Sequence, residues 1–198
     1  ITGLHLNKLK SDMIVIYAHG FMANKEHGQV PRFVQALSKY CDVIAVDLRG
    51  HGESDGGCTM GKREVLDIEA AVGYARSLGY KRIITVGSSM GGASIIRHAA
   101  LYKSQDGIVT IGAFADVANL GRMGSEYYVK FLYRTGRFGE IWSYLTRGTR
   151  LYKLEKQRSP LKLIAEVAPL PLLIIHGEWD LLVHPRAARQ LFSQANEP

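Results

Sequence analysis

The sequence is poor in cysteine and lacks long apolar runs, and each absence excludes a class of protein. Only two cysteines, Cys41 and Cys58, occur in 198 residues. They lack metal-ligand spacing, and Cys41 leads into an apolar strand, where a buried free thiol is the usual state. No apolar run approaches the roughly 20 residues of a membrane-spanning helix, and no secretory leader opens the sequence. We therefore expect a soluble, cytoplasmic protein without a membrane span or a disulfide.

The residue patterns of cofactor sites and nucleic-acid sites are also missing. The glycine-rich segment at residues 87–92 lacks the lysine and the spacing of a phosphate-binding loop, and no cysteine-histidine cluster has the spacing of a metal site. No recognised groove-reading or single-strand-binding motif is present. We therefore expect no metal, no organic cofactor and no nucleic-acid partner.

Positive charge is concentrated in one segment. Residues 120–163 contain ten basic and three acidic side chains, an excess of seven that equals the net charge of the whole chain. Such a segment can attract anionic substrates, lipid headgroups or nucleic acid, or it can simply be a solvated face. The basic residues are Arg122, Lys130, Arg134, Arg137, Arg147, Arg150, Lys153, Lys156, Arg158 and Lys162.

Short apolar runs alternate with helical patterns along most of the chain. We predict strands at residues 12–18, 42–47, 83–88, 107–114 and 170–176, and helices near 31–40, 62–78, 93–100 and 185–192. This alternation predicts the α/β class, with a single domain over residues 1–198. Its sheet should be open, mostly parallel and covered by helices on both faces.

The alternation stops between residues 115 and 168. Tyr127, Tyr128, Phe131 and Leu132 are spaced for one face of an amphipathic helix. We interpret this segment as a short helical cap inserted into the domain, although its aromatics could also be ordinary core residues. It contains eight of the 18 aromatic residues: Tyr127, Tyr128, Phe131, Tyr133, Phe138, Trp142, Tyr144 and Tyr152.

A Gly-x-Ser-x-Gly motif joins the third predicted strand to the helix that follows. Its glycines are Gly87 and Gly91, and Ser89 stands at the apex. Glycine at both flanking positions lets strand and helix approach without a Cβ clash, and the serine hydroxyl then projects from a strained turn. In an open parallel sheet, ligand chemistry collects at the carboxyl ends of the strands. The polar residues predicted at those ends are His19, Ser89, Asp116, His176 and Asp180.

Four motifs, in this order, resemble the α/β-hydrolase superfamily over essentially the whole chain. They are His-Gly-Phe at residues 19–21, the Asp-Leu-Arg-Gly-His-Gly-Glu-Ser loop at 47–54, the serine turn at 87–91, and His-Gly-Glu-Trp-Asp at 176–180. Within the superfamily, the motif sequences are most similar to those of feruloyl and cinnamoyl carboxylesterases, and to those of prolyl-oligopeptidase-like or serine-aminopeptidase-like hydrolases. The resemblance implies a serine hydrolase of the α/β-hydrolase fold.

The resemblance also implies a role for individual residues. Ser89 would be the nucleophile, and the backbone N–H groups of Met90 and Phe21 would form the oxyanion hole. Asp180 matches the position of the acid that orients the base, while Asp116 is the competing acid. Either carboxylate could instead cap a helix.

The catalytic histidine of the family follows one further strand, which we expect beyond residue 198. His184 is an alternative base, although it would need an unusual loop to reach Ser89. Residues 1–6 resemble the second strand of the family sheet, so we expect the edge strands at both ends of the sheet to lie outside residues 1–198.

The predicted function is the hydrolysis of carboxylic esters through an acyl-enzyme intermediate. The expected partner is a small-molecule ester, and an aromatic or anionic one would suit the cap. Two alternatives stay open: a peptidase or amidase of the same fold, since the same catalytic groups act on esters and amides, and a non-catalytic binding protein that uses the basic, aromatic cap. The sequence does not indicate an oligomeric state.

Overall fold

The computed structural model describes residues 1–117 and 125–197, with the backbone alone for residues 125–128 and 130. Within these ranges, six strands form one sheet in the order β1-β3-β2-β4-β5-β6. β1 runs antiparallel to β3, and all the other pairs are parallel. The strands are β1 (Thr2–Leu6), β2 (Met13–Ala18), β3 (Asp42–Asp47), β4 (Arg82–Ser88), β5 (Gly107–Ile111) and β6 (Leu172–Ile175).

Helices connect the parallel strands and pack on the sheet, which confirms the predicted fold class. The loop from β3 leads into α2, and α3 follows β4 directly, so its N-terminus lies at the carboxyl edge of the sheet. The helices are α1 (Val30–Leu37), α2 (Glu64–Ser77), α3 (Met90–Tyr102), α4 (Ser125–Arg134), α5 (Arg137–Arg147), α6 (Pro160–Leu163) and α7 (Arg186–Gln194), and a 3₁₀ turn (Ile164–Val167) follows α6.

Two apolar layers cover the central strands, one on each face. Along β2, Ile14 and Ile16 point into the layer that α2 and α3 close, whereas Val15 and Tyr17 point into the layer under α1. Alternate side chains of a strand point to opposite faces, so a strand buried on both faces is apolar at every position. This burial explains the continuous apolar run that predicted the strand.

Several boundaries differ from those that the sequence predicts. α1 ends at Leu37, so Tyr40 lies beyond it and is 81% exposed. β5 ends at Ile111 because Gly112 adopts φ 60°, in the left-handed region. Helical spacing predicted the α1 pattern correctly, but spacing alone does not show where a chain leaves a helix.

The segment between β5 and β6 contains helices α4 and α5. In α4, Leu132 is fully buried and Phe131 is exposed. The prediction that these two residues share one helix face is therefore wrong. The side chains of Tyr127 and Tyr128 lie outside the described residues. Both cysteines are buried and free, as predicted for Cys41. In the part of the chain described here, we find no helix long and apolar enough to cross a bilayer.

Candidate active site

Ser89 occupies the junction between β4 and α3 in a strained conformation. Its backbone angles are φ 48° and ψ −113°, outside the regions that L-amino acids ordinarily adopt. Its N–H donates to the carbonyl of Ile111 on the neighbouring strand (2.8 Å), and its carbonyl accepts from Ala93 N–H (3.0 Å). The turn is therefore held on both sides, and the β-carbon of Ser89 projects from its apex.

The two glycines of the motif permit this turn because neither position has room for a side chain. A Cβ placed on Gly87 would lie 2.5 Å from the carbonyl carbon of Gly91. A Cβ on Gly91 would collide with the carbonyl oxygens of Ala18 and His19, the latter at 2.6 Å. The start of α3 thus rests directly on the backbone at the end of β2.

The turn that follows β2 contacts Ser89 from the other side. A Cβ on Gly20 would lie 3.4 Å from the Cβ of Ser89, which is ordinary van der Waals contact. Ala23 N–H closes the turn by donating to the carbonyl of Gly20 (3.2 Å). Phe21 and Met22 therefore follow a residue that lies close to Ser89.

His19 is buried and fixes the first residue of this turn. Its Nε2 accepts from Leu48 N–H (3.0 Å), so Nδ1 carries the proton and donates to the carbonyl of Gly20 (2.7 Å). Burial lowers the pKa of His19 below its usual value, which keeps the ring neutral. Both ring nitrogens are thus used in positioning the turn.

His51 is buried 5.0 Å from His19, measured between ring centroids, and fixes the next part of the turn. Its Nε2 accepts from Met22 N–H (3.2 Å), and Nδ1–H donates to the carbonyl of Arg49 (3.1 Å). Burial, together with the neighbouring His19, lowers the pKa of His51 to about 3. His51 therefore positions the turn through both ring nitrogens and stays neutral.

Phe21 and Met90 have backbone N–H groups near Ser89. Among the described residues, neither Phe21 N–H nor Met90 N–H donates a hydrogen bond. Met90 is the first residue of α3, where the N–H groups of a helix point outward and the helix dipole favours negative charge. The arrangement can therefore accept a developing anion beside Ser89.

Asp180 lies in the loop after β6 and is held by backbone groups. Its Oδ1 accepts from the N–H groups of Leu182 (2.8 Å) and Val183 (2.9 Å). Its Oδ2 lies 3.4 Å from Nε2 of His176, and a Cβ on Gly112 would lie 3.2 Å from the same oxygen. The carboxylate of Asp180 thus lies next to the end of β5.

The end of β5 is the element that the serine turn and the Asp180 loop share. Ile111 accepts the N–H of Ser89, and the next residue, Gly112, is the one that faces Asp180. Asp116, the competing acid, follows farther along the same segment and is half-buried. The structure therefore places Phe21, Met90 and Ser89 together, with Asp180 on the neighbouring strand end.

Among the described residues, neither a histidine nor any other group forms a hydrogen bond to Ser89 Oγ. His184 is exposed, and its Nδ1 accepts from Arg186 N–H (3.1 Å) at the start of α7. Nε2–H of His176 donates to the carbonyl of Val183 (2.7 Å). In the described ranges, His, Cys, Asp and Glu side chains also form no group of three that could hold a metal.

Comparison with known proteins assigns this arrangement to a family. The sequence profile of the alpha/beta hydrolase family matches residues 15–197. The chain belongs to this family. Among curated proteins, the uncharacterized protein YfhR of Escherichia coli O157:H7 is 27% identical in an alignment of 194 positions that covers 93% of this chain and 58% of YfhR. The chain thus spans less than two thirds of the length of this relative.

Solved structures of other α/β hydrolases superpose on the chain. The esterase Pf2001 of Pyrococcus furiosus is 25% identical and gives a TM-score of 0.75, covering 97% of this chain and 71% of the esterase. Est1E of Butyrivibrio proteoclasticus, solved with ferulic acid bound, is 20% identical with a TM-score of 0.64, covering 100% of this chain and 83% of Est1E. At that identity the second likeness shows the fold alone.

In this α/β hydrolase, no sequence pattern predicted the buried ion pair that anchors the Phe21 turn. Lys25 donates to the buried carboxylate of Asp47 through its backbone N–H (2.7 Å) and through Nζ (2.8 Å), and Nζ also reaches the exposed Glu53 (2.6 Å). Burial would lower the pKa of Lys25, but the two carboxylates raise it above its usual value. A lysine in a polar loop usually indicates solvent exposure, so no local signal marked it.

We expect Lys25→Met to destabilise this α/β hydrolase by about 3 kcal/mol, because Asp47 would remain buried without its cation. Burial would raise the pKa of Asp47, but the contacts with Lys25 hold it below its usual value. Its stabilising effect is therefore complete above the ordinary aspartate pKa of about 3.9 and is lost as the pH falls through the lower folded value. The difference between variant and wild type should shrink in that acid range, as measured by urea unfolding.

The matched control is Arg82→Met, which breaks the exposed ion pair with Asp12 (2.9 Å). We expect that change to cost less than about 0.5 kcal/mol, because surface pairs are screened by solvent. Equal effects of the two substitutions would contradict a special role for the buried pair.

Proposed function

We propose that the protein is a serine hydrolase that cleaves carboxylic esters through an acyl-enzyme intermediate. The observation that carries this proposal is the strained turn at Ser89, flanked by the unpaired N–H groups of Phe21 and Met90. The likeness to esterases of the same family supports a hydrolase.

In the proposed reaction, Ser89 Oγ forms a bond to the ester carbonyl carbon while its proton passes to a base. The carbonyl oxygen becomes an oxyanion, which accepts hydrogen bonds from the N–H groups of Met90 and Phe21. Collapse of the tetrahedral intermediate breaks the bond to the alcohol, which takes the proton from the base. Water then repeats the sequence on the acyl-enzyme and releases the acid.

The proposed base is a histidine beyond residue 198, oriented by Asp180. Oδ1 of Asp180 is occupied by two backbone N–H groups, while Oδ2 has, among the described residues, only the longer contact with His176. Oδ2 is therefore the oxygen available to an incoming imidazole N–H. His19 and His51 are less suitable as bases, because all their ring nitrogens are already engaged.

Substrate class is tested with paired substrates that share one acyl group. We expect hydrolysis of p-nitrophenyl esters, including aromatic acyl esters, and little hydrolysis of the corresponding p-nitroanilides. Faster cleavage of aminoacyl anilides than of esters would favour a peptidase, which uses the same catalytic groups.

Asp180→Asn should lower kcat/KM for an ester on the order of 10³-fold, because a neutral amide cannot stabilise the imidazolium that forms during the reaction. Asp116→Asn is the matched control, a half-buried carboxylate after the preceding strand. We expect it to change kcat/KM by less than about tenfold, since it would not contact the base. The opposite ranking of the two variants would assign the acid to Asp116.

A further inference from the structure

Helix α5 turns its large apolar side chains away from the protein. Its buried residues are the small Gly139 and Ser143. A Cβ on Gly139 would clash with the backbone carbonyl of Leu132 on α4, so the two helices pack closely at this point. An ordinary surface helix shows the reverse arrangement, with its large apolar residues toward the core.

The outward face of α5 is a continuous apolar stripe at i, i+3, i+4 and i+7. Phe138, Ile141 and Leu145 are 57%, 56% and 75% exposed, and Trp142, stacked on Phe138, is 45% exposed. Burying such side chains at an interface is favourable, so their exposure indicates a surface that is covered by another phase or molecule.

Basic side chains surround this stripe. Arg134 and Arg137 lie at the α4–α5 turn, and Arg147 lies at the other end of α5. A groove of about 290 Å³ beside Ile141 and Leu145 is also lined by Glu140 and by Arg150, whose guanidinium donates to the carbonyl of Ser54. Among the described residues, Arg134, Arg137 and Arg147 form no ion pair. Arg137 is in the first turn of α5, where a cation opposes the helix dipole, so helix stability does not explain it.

We propose that the outward face of α5 docks on an anionic phospholipid surface. Phe138, Ile141, Trp142 and Leu145 would enter the boundary between headgroups and acyl chains, and Arg134, Arg137 and Arg147 would contact the headgroup phosphates. Aromatic and aliphatic residues on one face with basic residues beside them are the composition of helices that lie in a membrane interface. A second copy of the chain fits less well, because it would bring a surface of the same positive charge against this one.

The first test uses the full-length protein with vesicles of phosphatidylcholine, with or without phosphatidylglycerol, in a sedimentation assay. We expect binding to the anionic vesicles, and Ile141→Ser combined with Leu145→Ser should weaken it by at least about tenfold. The matched control combines Leu66→Ser with Leu101→Ser, two exposed leucines of α2 and α3, and should bind as the wild type does.

The second test removes charge and leaves the stripe intact. Arg134→Gln and Arg137→Gln should each weaken binding to anionic vesicles by about fivefold at low salt, and added salt should abolish the difference. Arg32→Gln and Lys39→Gln near α1, each an equal loss of one charge, are the single-substitution controls that should have little effect. Vesicle binding needs no substrate, so its outcome is independent of the proposed chemistry.

Three outcomes would overturn the proposal. The first is binding that does not depend on phosphatidylglycerol or on the α5 substitutions. The second is self-association without vesicle binding, detected by sedimentation velocity and lost in the Ile141 and Leu145 variant, which would make α5 a contact between copies. The third is that the wild type does not bind vesicles while the Ile141 and Leu145 variant shows a raised KM for soluble long-chain esters. That result would make the stripe part of a substrate groove.

Discussion

Ser89→Ala abolishes covalent labelling by a fluorophosphonate and lowers ester hydrolysis on the order of 10⁶-fold, if Ser89 is the nucleophile as we propose. The variant keeps the Cβ atom and removes only a hydroxyl without a hydrogen bond among the described residues, so folding should be retained. Labelling is measured by intact mass on the full-length protein, and thermal unfolding verifies that the variant is folded.

Ser88→Ala is the matched control, because the same motif contains both serines. Ser88 Oγ is hydrogen bonded to the hydroxyl of Tyr17 (2.8 Å), in contrast to Ser89 Oγ. Loss of the hydrogen bond between Ser88 and Tyr17 should cost about 1 kcal/mol of stability and leave labelling intact. Persistent labelling of Ser89→Ala would contradict the assignment of Ser89 as the nucleophile. A folded wild type that never reacts with the fluorophosphonate would favour a non-catalytic binding protein.

Gly91→Ala should destabilise the protein by more than about 5 kcal/mol, or prevent folding, because a buried backbone clash has no room to relax. The new Cβ would meet the carbonyl oxygens of Ala18 and His19, and moving them would displace the end of β2. Urea unfolding, or the yield of soluble protein if the variant does not fold, measures this effect.

Gly73→Ala provides the opposite expectation with the same chemical change. Gly73 lies inside α2, and a Cβ there would meet no atom within 4 Å. Alanine is the better helix former, so we expect a gain of about 0.5–1 kcal/mol. A destabilising effect at Gly73, or a neutral effect at Gly91, would contradict the close packing described at the turn.

Local patterns in the sequence predicted the parts of the fold that depend on neighbouring residues. A continuous apolar run such as β2 reports burial on both faces, and the glycines at 87 and 91 report a turn that a side chain would block. Helix ends were less predictable, as Tyr40 shows, because the point where a chain leaves a helix depends on what its next residues contact.

The sequence by itself thus determined the order of strands and helices, the serine turn, and the likeness to α/β hydrolases. Only the tertiary structure decided that the rings of His19 and His51 are engaged at both nitrogens, that Lys25 is paired with the buried Asp47, and that α5 presents its apolar face outward. The physical reason is sequence separation. Hydrogen bonds such as that from Leu48 to His19 join residues 29 positions apart, and periodicity within one helix does not reveal which of its faces meets the protein.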